Sequence, residues 1–233
     1  PGCTSPSCYN ARTCGIRLAA DAYVSSGDTG SYGPIEEWDT SLVTDMSRVF
    51  QSAGSFNVDI SKWNTGAVTI MKGMFFQATA FNQDVSKWNT SAVTNMNSMF
   101  ASAFVFNQDV SKWNTGALTN MDSMFSSARV FNQDVSKWNT VAVTRMSELF
   151  RFAFVFNSDV SKWNTSAVTT MEDMFRDSGF TRTLCGGQWQ ALQSNSYLTS
   201  TGRLGCCPIR FFMSNPFVAF SEADSCTECP SNA

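Results

Sequence analysis

Five aspartates and five lysines are the first residues whose spacing could do chemistry. Asp59, Asp84, Asp109, Asp134 and Asp159 recur every 25 residues, and Lys62, Lys87, Lys112, Lys137 and Lys162 follow each by three. A row of carboxylates could take up Ca²⁺, a hard cation that seeks oxygen ligands. A mixed polar strip could also meet the hydroxyls of a sugar. Stacked in register at ~4.8 Å, like charges cost about 0.9 kcal/mol per neighbouring pair in water. The opposite column offsets that cost, so the expected duty is a solvated, self-neutralising face. No cofactor is expected, with Ca²⁺ as the one considered, and no metal site is assigned. The strip Asp84, Ser86, Lys87, Asp109, Lys112, Asp134 and Lys137 is the first place to seek a ligand or partner.

Asparagines and threonines form further columns. Asn57, Asn82, Asn107, Asn132 and Asn157 make one, and Asn64, Asn89, Asn114, Asn139 and Asn164 another. Their expected duty is to satisfy turn backbone and to bridge units, because buried turn groups must find partners. Asn89-Thr-Ser and Asn164-Thr-Ser also fit the N-glycosylation acceptor pattern, whereas Asn64, Asn114 and Asn139 do not. Regular hydroxyls at Thr65, Thr90, Thr115, Thr140 and Thr165, and at Thr69, Thr94, Thr119, Thr144 and Thr169, raise an ice lattice as a ligand. The expected helix argues against that, since it makes the first column caps and sets the second inside a helical turn.

The eight cysteines stand outside this array. Cys3, Cys8 and Cys14 lie at one end and Cys185, Cys206, Cys207, Cys226 and Cys229 at the other. Thiols gathered into terminal caps point to disulfide stapling in an oxidising compartment, hence to a secreted or cell-surface protein. Each end holds an odd number. Seven stacked units span roughly 30 Å, and a disulfide needs Cα atoms within about 7 Å. A cap-to-cap bridge therefore needs the tail 190–233; otherwise each end offers a thiol to another chain, and head-to-tail joining would build a filament. Cys226-x-x-Cys229 lacks the βαβ context of a redox motif, and zinc there would need an all-cysteine set with Cys206 and Cys207.

Catalysis finds little support. The 233-residue chain has no histidine, which removes the commonest general base and metal ligand. Its polar residues are spread in columns, whereas a catalytic site needs one singular cluster. A formal charge of −3 argues against nucleic acid. No apolar run is long enough to span a membrane. The chain begins at Pro1 without a charged start and apolar run, so no signal peptide is visible, and it is either a mature product or a piece of something longer.

The elements that would position these columns follow from the period. Trp38, Trp63, Trp88, Trp113, Trp138 and Trp163 recur at 25, as do Phe50 to Phe175 and Met46 to Met171. A period without drift marks one supersecondary unit stacked on its neighbours. In SAVTNMNSMFASA, residues 91–103, apolar side chains fall at Val93, Met96, Met99, Phe100 and Ala103, the spacing of an amphipathic helix, with Thr90 as its N-cap. Val85 and Trp88 among polar residues predict a short strand near 84–88, with the first strand at 34–38. The expected fold is α/β: one short parallel strand and one helix per unit, wound into a solenoid with disulfide-stapled caps. Its predicted parts are an N-terminal cap at 1–34, six repeats over 35–180, and a degenerate closing strand with a Cys-rich cap over 181–233.

The pattern W-x-T-x-x-V-T-x-M-x-x-M-F…F-N-x-D-x-S-x-W, over about 38–175, resembles the repeat of BspA-family leucine-rich-repeat surface proteins, also called the mycoplasma lipoprotein-associated repeat. The resemblance implies a leucine-rich-repeat-like, right-handed solenoid, a surface location and an adhesive or structural role. It carries over no catalytic residue.

Departures from the repeat mark candidate contact surfaces. Arg145, Arg151 and Arg176 replace small or neutral residues of earlier units, and Phe76, Phe104, Arg129, Phe152 and Phe154 fall in the same half of the unit. Aromatic residues and arginine are enriched at protein interfaces. The expected function is a non-catalytic extracellular structural or adhesion protein. Its partners would be other protein chains, including copies of itself head-to-tail. The alternative is a module that binds a glycan or protein through its polar sheet face.

Overall fold

The computed structural model describes residues 15–27, 33–182, 184 and 189. A helix, α1 (Gly15–Ser26), opens the chain. Ile16, Ala19 and Ala20 are buried on one stripe, and Tyr23 extends it toward the first repeat, its ring edge-on to Trp38 at 6.4 Å. Gly27 ends the helix in the left-handed region at φ 66°, its N–H returned to the Tyr23 carbonyl.

Beyond α1 the structure departs from the expected strand and helix. The segment 91–103 is a run of turns. Val93, Met99, Ala101 and Ala103 donate to carbonyls three residues back, at Thr90, Met96, Ser98 and Phe100. The intervening N–H groups leave the unit: Met96, Ser98, Phe100 and Ser102 donate to the carbonyls of Asn120, Asp122, Met124 and Ser126. An α-helix would have kept those donors for itself. Consecutive three-residue turns place their end residues inward, so the apolar spacing imitates a helical period.

The predicted strand near 84–88 is also a turn, closed by Trp88 N–H to the Val85 carbonyl at 3.2 Å. The predicted first strand at 34–38 is a 3-10 turn, Ile35–Glu37. Parallel pairing lies in the other half of the unit and is one residue wide, running Asp45, Ile70, Asn95, Asn120, Arg145 and Thr170.

The same four outgoing bonds join each unit to the next. They begin at residues 46, 48, 50 and 52 and recur from 71, 96, 121 and 146. To aim them, each unit holds two residues in the left-handed region. At the first such position stand Arg48, Gly73, Ser98, Ser123, Glu148 and Asp173. At the second stand Ser52, Gln77, Ser102, Ser127, Phe152 and Asp177. Each non-glycine among them gives up about 1 kcal/mol to backbone strain, offset by bonds that link units.

The core is one continuous column of rings. Phe50, Phe75, Phe100, Phe125, Phe150 and Phe175 stack at 5.4–5.8 Å along the array. Within one unit Phe100 lies flat on Phe106 at 3.8 Å. Trp113, Trp138 and Trp163 stack beside them at 6.2–6.5 Å. Phe180, Leu184 and Trp189 continue the buried set past the last full repeat.

Candidate recognition surfaces

The Asp–Ser–Lys strip has a structural duty for two of its three residues. Asp84 Oδ1 accepts the Ser86 N–H at 2.8 Å, and Asp109 and Asp134 hold Ser111 and Ser136 the same way. Asp39, Asp59 and Asp159 repeat it at 2.9 Å. The serine hydroxyl and N–H hold each of these carboxyls below its ordinary range, helped from Asp59 onward by a nearby lysine. These are Asx turns, in which a short side chain replaces a backbone acceptor. The lysines differ. Lys62, Lys87, Lys112, Lys137 and Lys162 are exposed, and none makes an ion pair within 4 Å among the described residues. No group of three carboxylate, thiol or imidazole side chains that could hold a metal ion is found among the described residues.

Both asparagine columns hold backbone. Asn57, Asn82, Asn107 and Asn132 each accept, through Oδ1, the N–H of the next asparagine in the column at 2.8–2.9 Å, and Asn157 does so for Thr181. The second column closes Asx turns: Asn64, Asn89, Asn114, Asn139 and Asn164 accept from Gly66, Ser91, Gly116, Val141 and Ser166. That column does not point inward. Asn89 is exposed and Asn164 half-buried.

Both threonine columns have work other than the one expected. Thr90 caps no helix; its hydroxyl is buried and donates across units to the Asn114 carbonyl at 2.9 Å, as Thr65 does to Asn89. Thr69, Thr94, Thr119, Thr144 and Thr169 donate backward to the threonine carbonyl of the preceding unit. They lie on the surface, as a ladder rather than inside a helical turn.

One bond was missed from sequence although its residue is the most regular in the chain. Each core tryptophan donates its indole N–H to a carbonyl of the unit before: Trp63 to Ile35, Trp88 to Ile60, Trp113 to Val85, Trp138 to Val110 and Trp163 to Val135. Trp189, one residue late in the period, reaches the carbonyl of Ser161 and keeps the contact with a one-residue slip.

The departures gather on one edge. The Arg129 guanidinium lies over the Phe104 ring at 4.1 Å, Arg151 lies 4.8 Å over Phe152, and Phe152 meets Phe154 edge-on at 6.5 Å. Val105, Val130 and Val155 extend that edge through three units at 43–48% exposure, beside Phe154 at 52%. The valines escaped sequence reading because a valine before a buried Phe column looks like core. Phe76, one unit earlier, shares no ring contact with this group among the described residues. Arg176 is held instead by Asp173 and Asp177.

Arg145 does different work. Asp45, Asn95 and Asn120 each accept the N–H two residues on. Arg145, in the same column, cannot. Buried Asp122 of the preceding unit substitutes: its Oδ1 takes the Ser147 N–H at 2.8 Å and its Oδ2 pairs with Arg145 at 2.6 Å. The signal was two opposite-charge departures in adjacent units. The cysteine candidates Cys3, Cys8, Cys14, Cys185, Cys206, Cys207, Cys226 and Cys229 lie outside the described residues.

These features define a repeat protein built from stacked turn units of 25 residues. The profile of a family described as a Mycoplasma protein of unknown function, DUF285, matches the chain twice, over residues 22–132 and 106–198. The two matches together span most of the chain, which belongs to that family. No curated protein and no solved structure matches it. No helix among the described residues is long and apolar enough to cross a membrane.

Proposed function

We propose that this is a non-catalytic extracellular or cell-surface protein of structural or adhesive function, a BspA-like member whose stack is a right-handed, leucine-rich-repeat-like solenoid. The observation that carries this reading is the even use of polar groups. Asp, Asn, Thr and Trp side chains are each engaged in closing a turn or binding the next unit, and the same bonds recur in every repeat. Chemistry spread this evenly builds a rigid spacer rather than a reaction centre. The cysteines confined to the two ends support an oxidising compartment and end-to-end assembly.

Contact with other protein chains is assigned to the edge of Phe104, Val105, Arg129, Val130, Phe154 and Val155, which is apolar, continuous over three units and carries an arginine. The test is adhesion of beads coated with the full chain to one another and to matrix protein, wild type against Val130→Asp with Phe154→Asp. Adhesion that falls several-fold in the variant, with unchanged melting, supports the reading. Wild-type beads that do not adhere refute it. The second reading, recognition of an anionic glycan through the polar strip, rests on the five exposed lysines without ion pairs. It predicts binding that weakens steeply with salt.

A further inference from the structure

We propose that Asn89 is an N-glycosylation site, and that the same acceptor motif at Asn164 is disfavoured by Val141 of the neighbouring unit. Both side chains are anchored alike. Ser91 donates its N–H and its hydroxyl to Asn89 Oδ1 at 3.0 and 2.7 Å, and Ser166 does the same to Asn164 at 2.9 and 2.7 Å. The carbonyl end of each amide is thereby tied down and Nδ2 is left as the outward end. Asn89 Nδ2 donates to nothing among the described residues.

What Nδ2 faces differs between the two sites. A Cβ placed on Gly66 would lie 3.6 Å from Asn89 Nδ2, and one on Gly116 would lie 3.5 Å from Asn139 Nδ2. The register therefore sets each Nδ2 over the residue two after the preceding column asparagine. Below Asn89 that residue is Gly66, which leaves the space open. Below Asn164 it is Val141, whose Cβ and two methyl groups fill the space a substituent on Nδ2 must enter. Burial agrees, with Asn89 exposed and Asn164 half-buried.

The reaction requires a lipid-linked oligosaccharyl diphosphate as donor. Asn89 Nδ2 forms a bond to C1 of the first sugar, the C1–O bond to the diphosphate breaks with its electron pair leaving on the lipid, and one amide proton passes to a carboxylate of the transferase.

The test places the full chain behind a secretion leader in cultured animal cells and maps peptides from secreted and retained material together. Enzymatic glycan release in heavy-oxygen water leaves a labelled aspartate at each used site. Label at position 89 is expected in most molecules, and several-fold less at 164. Ser91→Ala removes the label at 89 alone, and Val141→Gly raises 164 to the level of 89. An unlabelled Asn89, equal label at both sites in the wild type, or a Val141→Gly chain with 164 unchanged would each overturn the proposal. Because the leader supplies the compartment, failure here leaves the cell-surface reading untouched. The adhesion test in turn does not depend on glycan.

Discussion

Replacing Trp113 by phenylalanine isolates the bond that ties each tryptophan to the unit before it. Trp113 is 4% exposed, stacks on Trp138 at 6.5 Å, and gives its indole N–H to the Val85 carbonyl at 3.0 Å. Phenylalanine keeps an aromatic ring in the stack but has no donor. Orphaning that buried carbonyl costs about 1–3 kcal/mol. The lost half of the bicycle leaves a void worth about 1–2 kcal/mol more, so the expected destabilisation is ~2–4 kcal/mol. The reference is Phe106→Leu in the same core, which removes ring area without removing a donor and should cost about 1–2 kcal/mol. Both are read by urea titration followed by far-UV circular dichroism, with the disulfide state held constant. Midpoints are compared only where the slope is unchanged, since repeat arrays can lose cooperativity when one interface weakens. If Trp113→Phe costs no more than Phe106→Leu, the indole bond is not why tryptophan is kept at every repeat.

Three further outcomes follow from bonds between units. Asp122→Ala strands both the Ser147 N–H and Arg145 and should cost about 2–3 kcal/mol. Adding Arg145→Asn should recover part of it, because asparagine there can close its own turn as Asn120 does; a double variant no more stable than Asp122→Ala alone argues against the exchange of acceptors. The column aspartates titrate below their unfolded value of about 3.9 because Ser N–H and hydroxyl groups hold the ionised form. Their stabilisation is complete above that value and is lost as pH falls through the lower folded pKa. Melting temperature should therefore drop below about pH 4, and fall less in a chain with Asp84, Asp109 and Asp134 changed to Asn; equal slopes in a thermal series would contradict this. Gly179→Ala should cost about 1–3 kcal/mol by crowding, since its Cβ would meet the Phe154 carbonyl oxygen; an unchanged urea midpoint would show that the last unit yields freely.

The period, the buried positions and the bridging duty of the Asn82 column were legible in the sequence, because identical letters at a fixed interval leave little else for a stacked unit to do. The local backbone was not. Val93, Met96, Met99, Phe100 and Ala103 are inward-facing in a helix and equally so in consecutive turns. Periodicity reports which side chains are buried, not where the N–H groups go. A weak hint stood in Ser98, Ser102, Ser123 and Ser127, which recur where the turns need a left-handed residue. The Asp84 carboxylate looked unemployed because an Asx turn consumes it with a bond only two residues long. Phe104 and Arg129 could be singled out as departures, but their contact across units depends on the register of two loops that share no pattern.

The exchange at Asp122 and Arg145 also bears on how the chain finds its own order. Three copies of FNQDVSKWNT are identical, and every ordinary interface uses the same bonds, so a growing stack could skip a repeat and still satisfy each donor locally. Such a slip would loop out 25 residues and leave no side chain visibly misplaced. One seam resists it. The unit carrying Arg145 has lost its own acceptor and is complete only on the unit that offers Asp122. It works as a key cut for one lock in a row of identical locks, and sets the count of repeats from a single point in the array.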